Sequence, residues 1–350
     1  MADAQIWMIL EIAFGIAGLL GNALVLFVFF RTKSLRSLIN LFIINQSLID
    51  FTTSVVFLVL HVSPPISLDS NSTFHQIFCA VWLSEYTLWA LLIGSSMNLS
   101  CITLDRYFAV VFPIKYRKTA GRKGTILAVT VAFTWTGGFI FDCYWAFIQE
   151  ITPDGYCIPV WKSKVLQGVI GFFIFIVTYL GPLGIMVYSY LCILWKLRVQ
   201  TRLISEQNDR DDQMATVSGR NRVTQFASDN GGNLNHSDQN QVATKKSKRM
   251  NHAKHSVLKT MLSVSLVYAI CWAPIAFSYL SYNFGGYLDF TSTFYLITKL
   301  FVDSNMAVNP FIYTFQYRQF QEALARVFGI KCGWGIRVTP STTRGNPDAS

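Results

Sequence analysis

Seven long apolar runs constrain this chain more than any other feature. They occupy residues 7–30, 38–60, 79–111, 125–147, 165–194, 257–282 and 290–314. A helix crosses the hydrocarbon core of a bilayer with about 20 apolar residues. Inside lipid the backbone must satisfy its own hydrogen bonds, which a helix does. Only 14% of the residues are charged, against about 25% in soluble domains, and the mean hydropathy is +0.38. These runs predict an all-α membrane protein, a seven-transmembrane helix bundle over residues 7–314, preceded by a short segment, 1–6. The first run is too long for a cleaved signal sequence and ends in Arg31 and Lys33, the pattern of a signal anchor.

The net charge of +10 would suggest nucleic acid in a soluble protein. Here the basic residues lie between the runs, so they report orientation, and no nucleic-acid partner is expected. Arg31, Lys33 and Arg36 follow the first run. Lys115, Arg117, Lys118, Arg122 and Lys123 follow the third, and a longer series from Lys196 to Lys254 follows the fifth. The opposite loops hold Asp69, Glu150, Asp154 and Asp289, with only Lys162 and Lys164 against them. The positive-inside rule then puts the N-terminus outside and the C-terminus in the cytoplasm of a multi-pass plasma-membrane protein.

Residues 199–251 are rich in Asn, Asp, Gln, Ser and Gly. Such a segment buries too little apolar surface to fold, so it reads as a disordered third cytoplasmic loop, either phosphorylated or an inert linker. Residues 315–331 read as a short amphipathic eighth helix in the interface, with Tyr317, Phe320, Leu324, Val327 and Phe328 at helical spacing. Residues 332–350 read as a disordered tail that opens on Cys332, either palmitoylated or free. The seven cysteines include no C-x-x-C pair and no metal-ligand spacing. Asn71-Ser72-Thr73 is a glycosylation sequon in an outside loop.

Polar residues and prolines inside the runs are functional candidates by default. Gly21-Asn22 lies in the first run and Asp50 in the second. Asp105-Arg106-Tyr107 closes the third, with Pro113 beyond it, and Trp135 marks the fourth. The fifth carries Pro182 and Tyr190, the sixth Cys271-Trp272-Ala273-Pro274, and the seventh Asn309-Pro310-Phe311-Ile312-Tyr313, with Phe320 seven residues on. In this order, one set per helix, the motifs resemble those of the rhodopsin-like (class A) G-protein-coupled receptors, from about residue 7 to 332.

The resemblance implies specific roles. Asp105, Arg106, Tyr107, Ile114, Tyr190 and Tyr313 take the places of the G-protein switch. Lys254 stands where many members carry a second acid clamping the arginine, so Asp105 is the main expected restraint on Arg106. Trp272, Pro274, Tyr268, Pro182, Asn309 and Pro310 take the transmission positions; independently, each proline removes a helix hydrogen bond and makes a kink. Tyr268 replaces a usual Phe and Ser96 a usual aliphatic residue, and their hydroxyls are within reach of a mutual hydrogen bond. Asp50, Ser95, Asn305 and Asn309 resemble the family's sodium pocket, either holding an allosteric sodium ion or a hydrated polar network; no other cofactor is implied. Cys79 and Cys157 match the family disulfide. Cys79 lies 27 positions before Arg106, more than the family usually shows, which predicts an irregular start or bulge in the third helix.

The expected ligand residues are Glu85, Tyr86, Trp89, Tyr279, Lys299 and Asp303. Lys299 is expected to pair with Glu11 or with Asp303. Asp303 stands where opsins carry the retinal lysine, which argues against retinal. The aligned anchor of amine receptors is Leu88, or Tyr86 beside Glu85, which disfavours a monoamine. A wide aromatic cavity favours a peptide-like ligand, with a biogenic amine or other small molecule as the alternative, and the short 1–6 segment argues against large glycoprotein hormones. The resemblance also implies a heterotrimeric G protein, arrestin and receptor kinases as partners. A transporter would show inverted repeats and broken midplane helices, and no nucleophile–base pair suggests an enzyme.

Overall fold

A computed structural model describes residues 2–32, 37–64, 66–222, 259–260 and 262–329. Lys254, Cys332, the tail 332–350 and most of the loop expected over 199–251 lie outside them.

The helices are α1 (Ala2–Arg31), α2 (Leu38–Val62), α3 (Thr73–Phe78), α4 (Tyr86–Val111), α5 (Pro113–Lys118), α6 (Lys123–Phe147), α7 (Lys164–Phe175) and α8 (Gly181–Arg222). They continue with α9 (Leu262–Asn283), α10 (Thr293–Gln316) and α11 (Arg318–Phe328). Ser72, Ser163 and Ser292 start α3, α7 and α10, each accepting a hydrogen bond from a backbone N–H three residues on. Pro113 opens α5, where its missing N–H costs nothing. Among the described residues, six spans are long and apolar enough to cross a membrane. The seventh, α10, has the length but is less apolar, because Lys299, Asp303, Asn305 and Asn309 are all buried on its inner side.

α4 is the central post, packed on α2, α6 and α8, while α1 packs on α2 and α10. Glycine sets the α4–α6 spacing: a Cβ at Gly138 would lie 1.9 Å from the Ala90 carbonyl oxygen. Small residues let membrane helices touch backbone to backbone in this way. α11 folds back on α1, with Phe320 packed at a tilt against Phe29 at 5.7 Å and the Tyr317 hydroxyl donating to Asn40 at 2.5 Å.

Three irregularities, the first of them expected from the sequence, have physical causes. The third span begins at Thr73 and runs through a π-helical turn, Cys79–Leu83, to Glu85 in the left-handed region (φ 62°). This is the bulge behind the long Cys79–Arg106 spacing. The fifth span carries a second π-helical turn, Ile176–Leu180, just before Pro182, which has no N–H to return to Thr178. The helix also continues to Arg222, past the loop boundary expected at 199. Residues 183–222 contain no proline and many strong helix formers, so polarity alone misplaced that boundary.

Candidate functional site

The two ends of the bundle carry different chemistry. At one end, Cys79 is disulfide-bonded to Cys157. Cys157 lies in a two-stranded hairpin, β1 (Gln149–Ile151) and β2 (Cys157–Pro159), paired antiparallel. The hairpin is tethered to the top of α4, and Trp145 adds a bond from Nε1 to the Ser84 carbonyl at 2.9 Å.

The same end holds a cavity of about 80 Å³ whose lining includes Trp89, Asp142, Tyr144, Trp145, Trp272, Tyr279 and Tyr295. Of the expected ligand residues, Trp89 and Tyr279 line this space. Tyr86 turns away and donates to the Phe139 carbonyl at 2.8 Å. Tyr144, Trp145 and Tyr295 were not singled out in the sequence. The adjacent Tyr144-Trp145 pair at the end of the fourth run was the available signal.

The charges pair differently from expectation. Lys299 does not reach Glu11 and makes no ion pair with Asp303; it is hydrogen-bonded to Glu85. The left-handed turn at Glu85 re-aims that side chain toward α10. Glu11 instead lies 3.6 Å from His61. Both carboxylate oxygens of Asp303 are buried without a hydrogen-bond partner among the described residues.

Midway down, Trp272 sits 5.6 Å from Tyr268. The Tyr268 hydroxyl accepts from Ser96 Oγ at 2.9 Å and donates to the Thr178 carbonyl. That carbonyl is the one Pro182 leaves without its usual i+4 donor. One phenol thus joins α4, α9 and the π turn before α8. Pro274 is half-buried in α9, and Pro310 is buried in α10.

Deeper still, Asp50 is buried among neutral donors. Its Oδ1 accepts from Ser95 at 2.7 Å and its Oδ2 from Asn309 at 2.8 Å. Gln46 Nε2 reaches both oxygens, at 3.1 and 3.0 Å. The Gln46 amide is oriented by Asn98, which donates to its Oε1 at 2.8 Å. Asn305 is buried, but its Nδ2 has no partner among the described residues. A sodium ion wants oxygen lone pairs around the carboxylate. Gln46 turns N–H groups toward both carboxylate oxygens, so the expected sodium set does not fit as arranged. Gln46 was not among the expected site residues, although its i−4 spacing from Asp50 put it on the same face.

At the far end, Arg106 is paired with Asp105, with Nε 3.0 Å from Oδ2. Asp105 also accepts from the Tyr116 hydroxyl at 2.7 Å. Burial, then the bond to Asp105, pushes the Tyr116 phenol up to about 12, so it stays protonated and keeps donating. Tyr116 was missed; Pro113, which turns the chain back under α4, was the hint. Tyr107 packs 6.0 Å from Tyr188, Tyr190 is half-buried and Tyr313 is buried. Ile114 is 74% exposed on this face. Asn71 is exposed in the turn ahead of α3.

A family profile described as 7 transmembrane receptor (rhodopsin family) matches residues 21–313. Melanopsin-A of Danio rerio is 24% identical over 319 residues, covering 89% of this chain and 48% of that protein. Galanin receptor 2a of Danio rerio is 24% identical over 329 residues, covering 92% of this chain and 77% of that protein. The chain thus spans about half the length of the first relative and most of the second.

Proposed function

Because the chain belongs to the rhodopsin family of seven-transmembrane receptors, which are receptors and not enzymes, we propose that it binds an extracellular ligand and promotes nucleotide exchange on a heterotrimeric G protein. In this reading the disulfide end faces outward, the Asp105 end faces the cytoplasm, and the bundle works in the plasma membrane by population shift between two arrangements. The observation that carries the reading is the Trp272–Tyr268 ring contact. Trp272 touches the ligand cavity, and Tyr268 is bonded to the two helices beside it, so cavity and hinge share adjoining side chains.

Arg106, Tyr107, Tyr190, Tyr313 and the exposed Ile114 would form the face that meets the G protein, and later arrestin and receptor kinases. The hairpin held over the cavity favours a peptide-like ligand entering from its side. A biogenic amine or other small molecule is the second reading, favoured by the narrowness of the cavity itself. Retinal is disfavoured, since Asp303 stands at the opsin lysine position and Lys299 is engaged by Glu85. Asn71 would carry an N-glycan, and Cys332 a palmitoyl chain.

The test is GTPγS exchange in membranes with purified G proteins and a peptide library. At least one peptide should raise exchange on the wild type and not on Arg106→Ala at equal surface expression. Peptide-stimulated exchange that survives Arg106→Ala would sink the role given to the end of α4. A visible absorption band on adding retinal would replace the ligand reading altogether.

A further inference from the structure

Asp142 lies in α6, 4% exposed, and lines the aromatic cavity. Its Oδ2 has no hydrogen-bond partner among the described residues. Most of the donors around it are committed elsewhere. One of the Tyr144 and Tyr279 hydroxyls donates to the other at 3.1 Å, leaving one phenol O–H of that pair unspent, while Tyr86 donates to the Phe139 carbonyl and Trp145 Nε1 to the Ser84 carbonyl. A second polar group of the cavity lining is also orphaned: Trp272 Nε1 has no acceptor among the described residues. Buried polar groups are nearly always paired, and a lone buried carboxylate is costly. Here a carboxyl oxygen and an indole N–H, both without partners among the described residues, belong to residues that line the same small space. The walls between them are indole and phenol rings, whose faces attract cations.

We propose that Asp142 is the anchor of a ligand-borne organic cation, an ammonium or guanidinium, and that Trp272 Nε1–H donates to a carbonyl or other acceptor of the same ligand. This rests on reading the cavity as the ligand site, and it names the chemistry that site selects. The cavity of about 80 Å³ has room for a cationic head and its nearest atoms, since one water needs some 10–15 Å³ on this measure. The rest of the ligand extends toward the hairpin. The cation thus sits on the fourth helix, while Glu85 and Lys299 neutralise each other. Binding at Trp272 places the ligand one ring from Tyr268.

The test is thermal unfolding of the purified receptor in nanodiscs with millimolar probes. The two cationic probes are phenylalaninamide, which carries ammonium and carbonyl as a peptide terminus does, and 2-phenylethylamine, a small amine without the carbonyl. The neutral controls are N-acetylphenylalaninamide and 2-phenylethanol. Both cations should raise the wild-type Tm, phenylalaninamide by the larger shift, and neither control should. A larger shift from 2-phenylethylamine would keep the Asp142 anchor but overturn the role of Trp272. Asp142→Asn should lose the shifts, Asp142→Glu should keep part of them, and Trp272→Phe should lose only the advantage of phenylalaninamide. Asn mimics a neutral acid, so shifts that persist in Asp142→Asn would overturn the proposal in favour of a buried protonated carboxyl. Equal shifts from the neutral controls, or none from either cation on the wild type, would overturn it too. The wild-type comparison stands even if a variant misfolds. No G protein enters this measurement, so cation-selective binding without any effect on exchange would count against the receptor reading and leave the site intact.

Discussion

Gln46 decides what Asp50 can do. Its amide nitrogen reaches both carboxylate oxygens, and Asn98 fixes the direction in which that amide points. Replacing Gln46 by Leu leaves the carboxylate with Ser95 and Asn309 alone and opens one side of it. We expect sodium, and not potassium, to raise the Tm of Gln46→Leu by several degrees, with no such selectivity in the wild type. A sodium-selective shift in the wild type would show that the amide yields to the ion. Asp105 is a second residue whose partners decide its role. It holds Arg106 and is itself held by Tyr116. Charge-assisted hydrogen bonds of this kind are worth about 1.5–3 kcal/mol. Asp105→Asn should therefore raise basal exchange several-fold at equal surface expression, and Tyr116→Phe should raise it less. An unchanged basal rate in Asp105→Asn would remove the restraint assigned to this pair. At this scale residue types were legible and partners were not. An isolated acid in an apolar run announces itself, but Gln46 and Tyr116 become visible only once the helices have been assembled.

Elements were more legible, because periodicity and length speak for them directly. The spans appeared where apolar runs of about 20 residues required them. Even the irregular top of the third helix could be inferred from the spacing of Cys79 and Arg106. What stayed hidden was how a break in one helix is repaired by another. Pro182 leaves the Thr178 carbonyl short of a donor, and the Tyr268 hydroxyl supplies one across the bundle while accepting from Ser96. The sequence put the two hydroxyls within reach of each other but gave no sign of the carbonyl. Tyr268→Phe keeps the ring against Trp272 and deletes the bond to both neighbouring helices. Leaving a buried carbonyl unmet costs about 1–3 kcal/mol, so Tm should fall. If the bond restrains the hinge, basal exchange should rise together with that fall. A lowered Tm with basal exchange unmoved would make Tyr268 a structural brace and no more.

At the scale of the molecule, the disulfide end behaves as a joined block. The hairpin is bonded to Cys79, Trp145 of α6 to Ser84, and Lys299 of α10 to Glu85, all within a seven-residue stretch from Cys79 to Glu85. The left-handed Glu85 is what lets one short segment reach three neighbours, and no pattern in the sequence predicts a non-glycine residue there. The Glu85–Lys299 pair joins α10 to this block. Lys299 is largely buried while Glu85 is a quarter exposed. Removing one partner strands the other charge, which costs about 3–5 kcal/mol in a fully buried pair; the exposure of Glu85 should bring Lys299→Met below that range. Removing both partners strands neither. Glu85→Gln/Lys299→Met should therefore recover much of the Tm that Lys299→Met loses, the coupling expected of groups in direct contact. A double variant no more stable than the single would mean that Lys299 answers mainly to Asp303, whose two oxygens lie buried one turn away without hydrogen-bond partners.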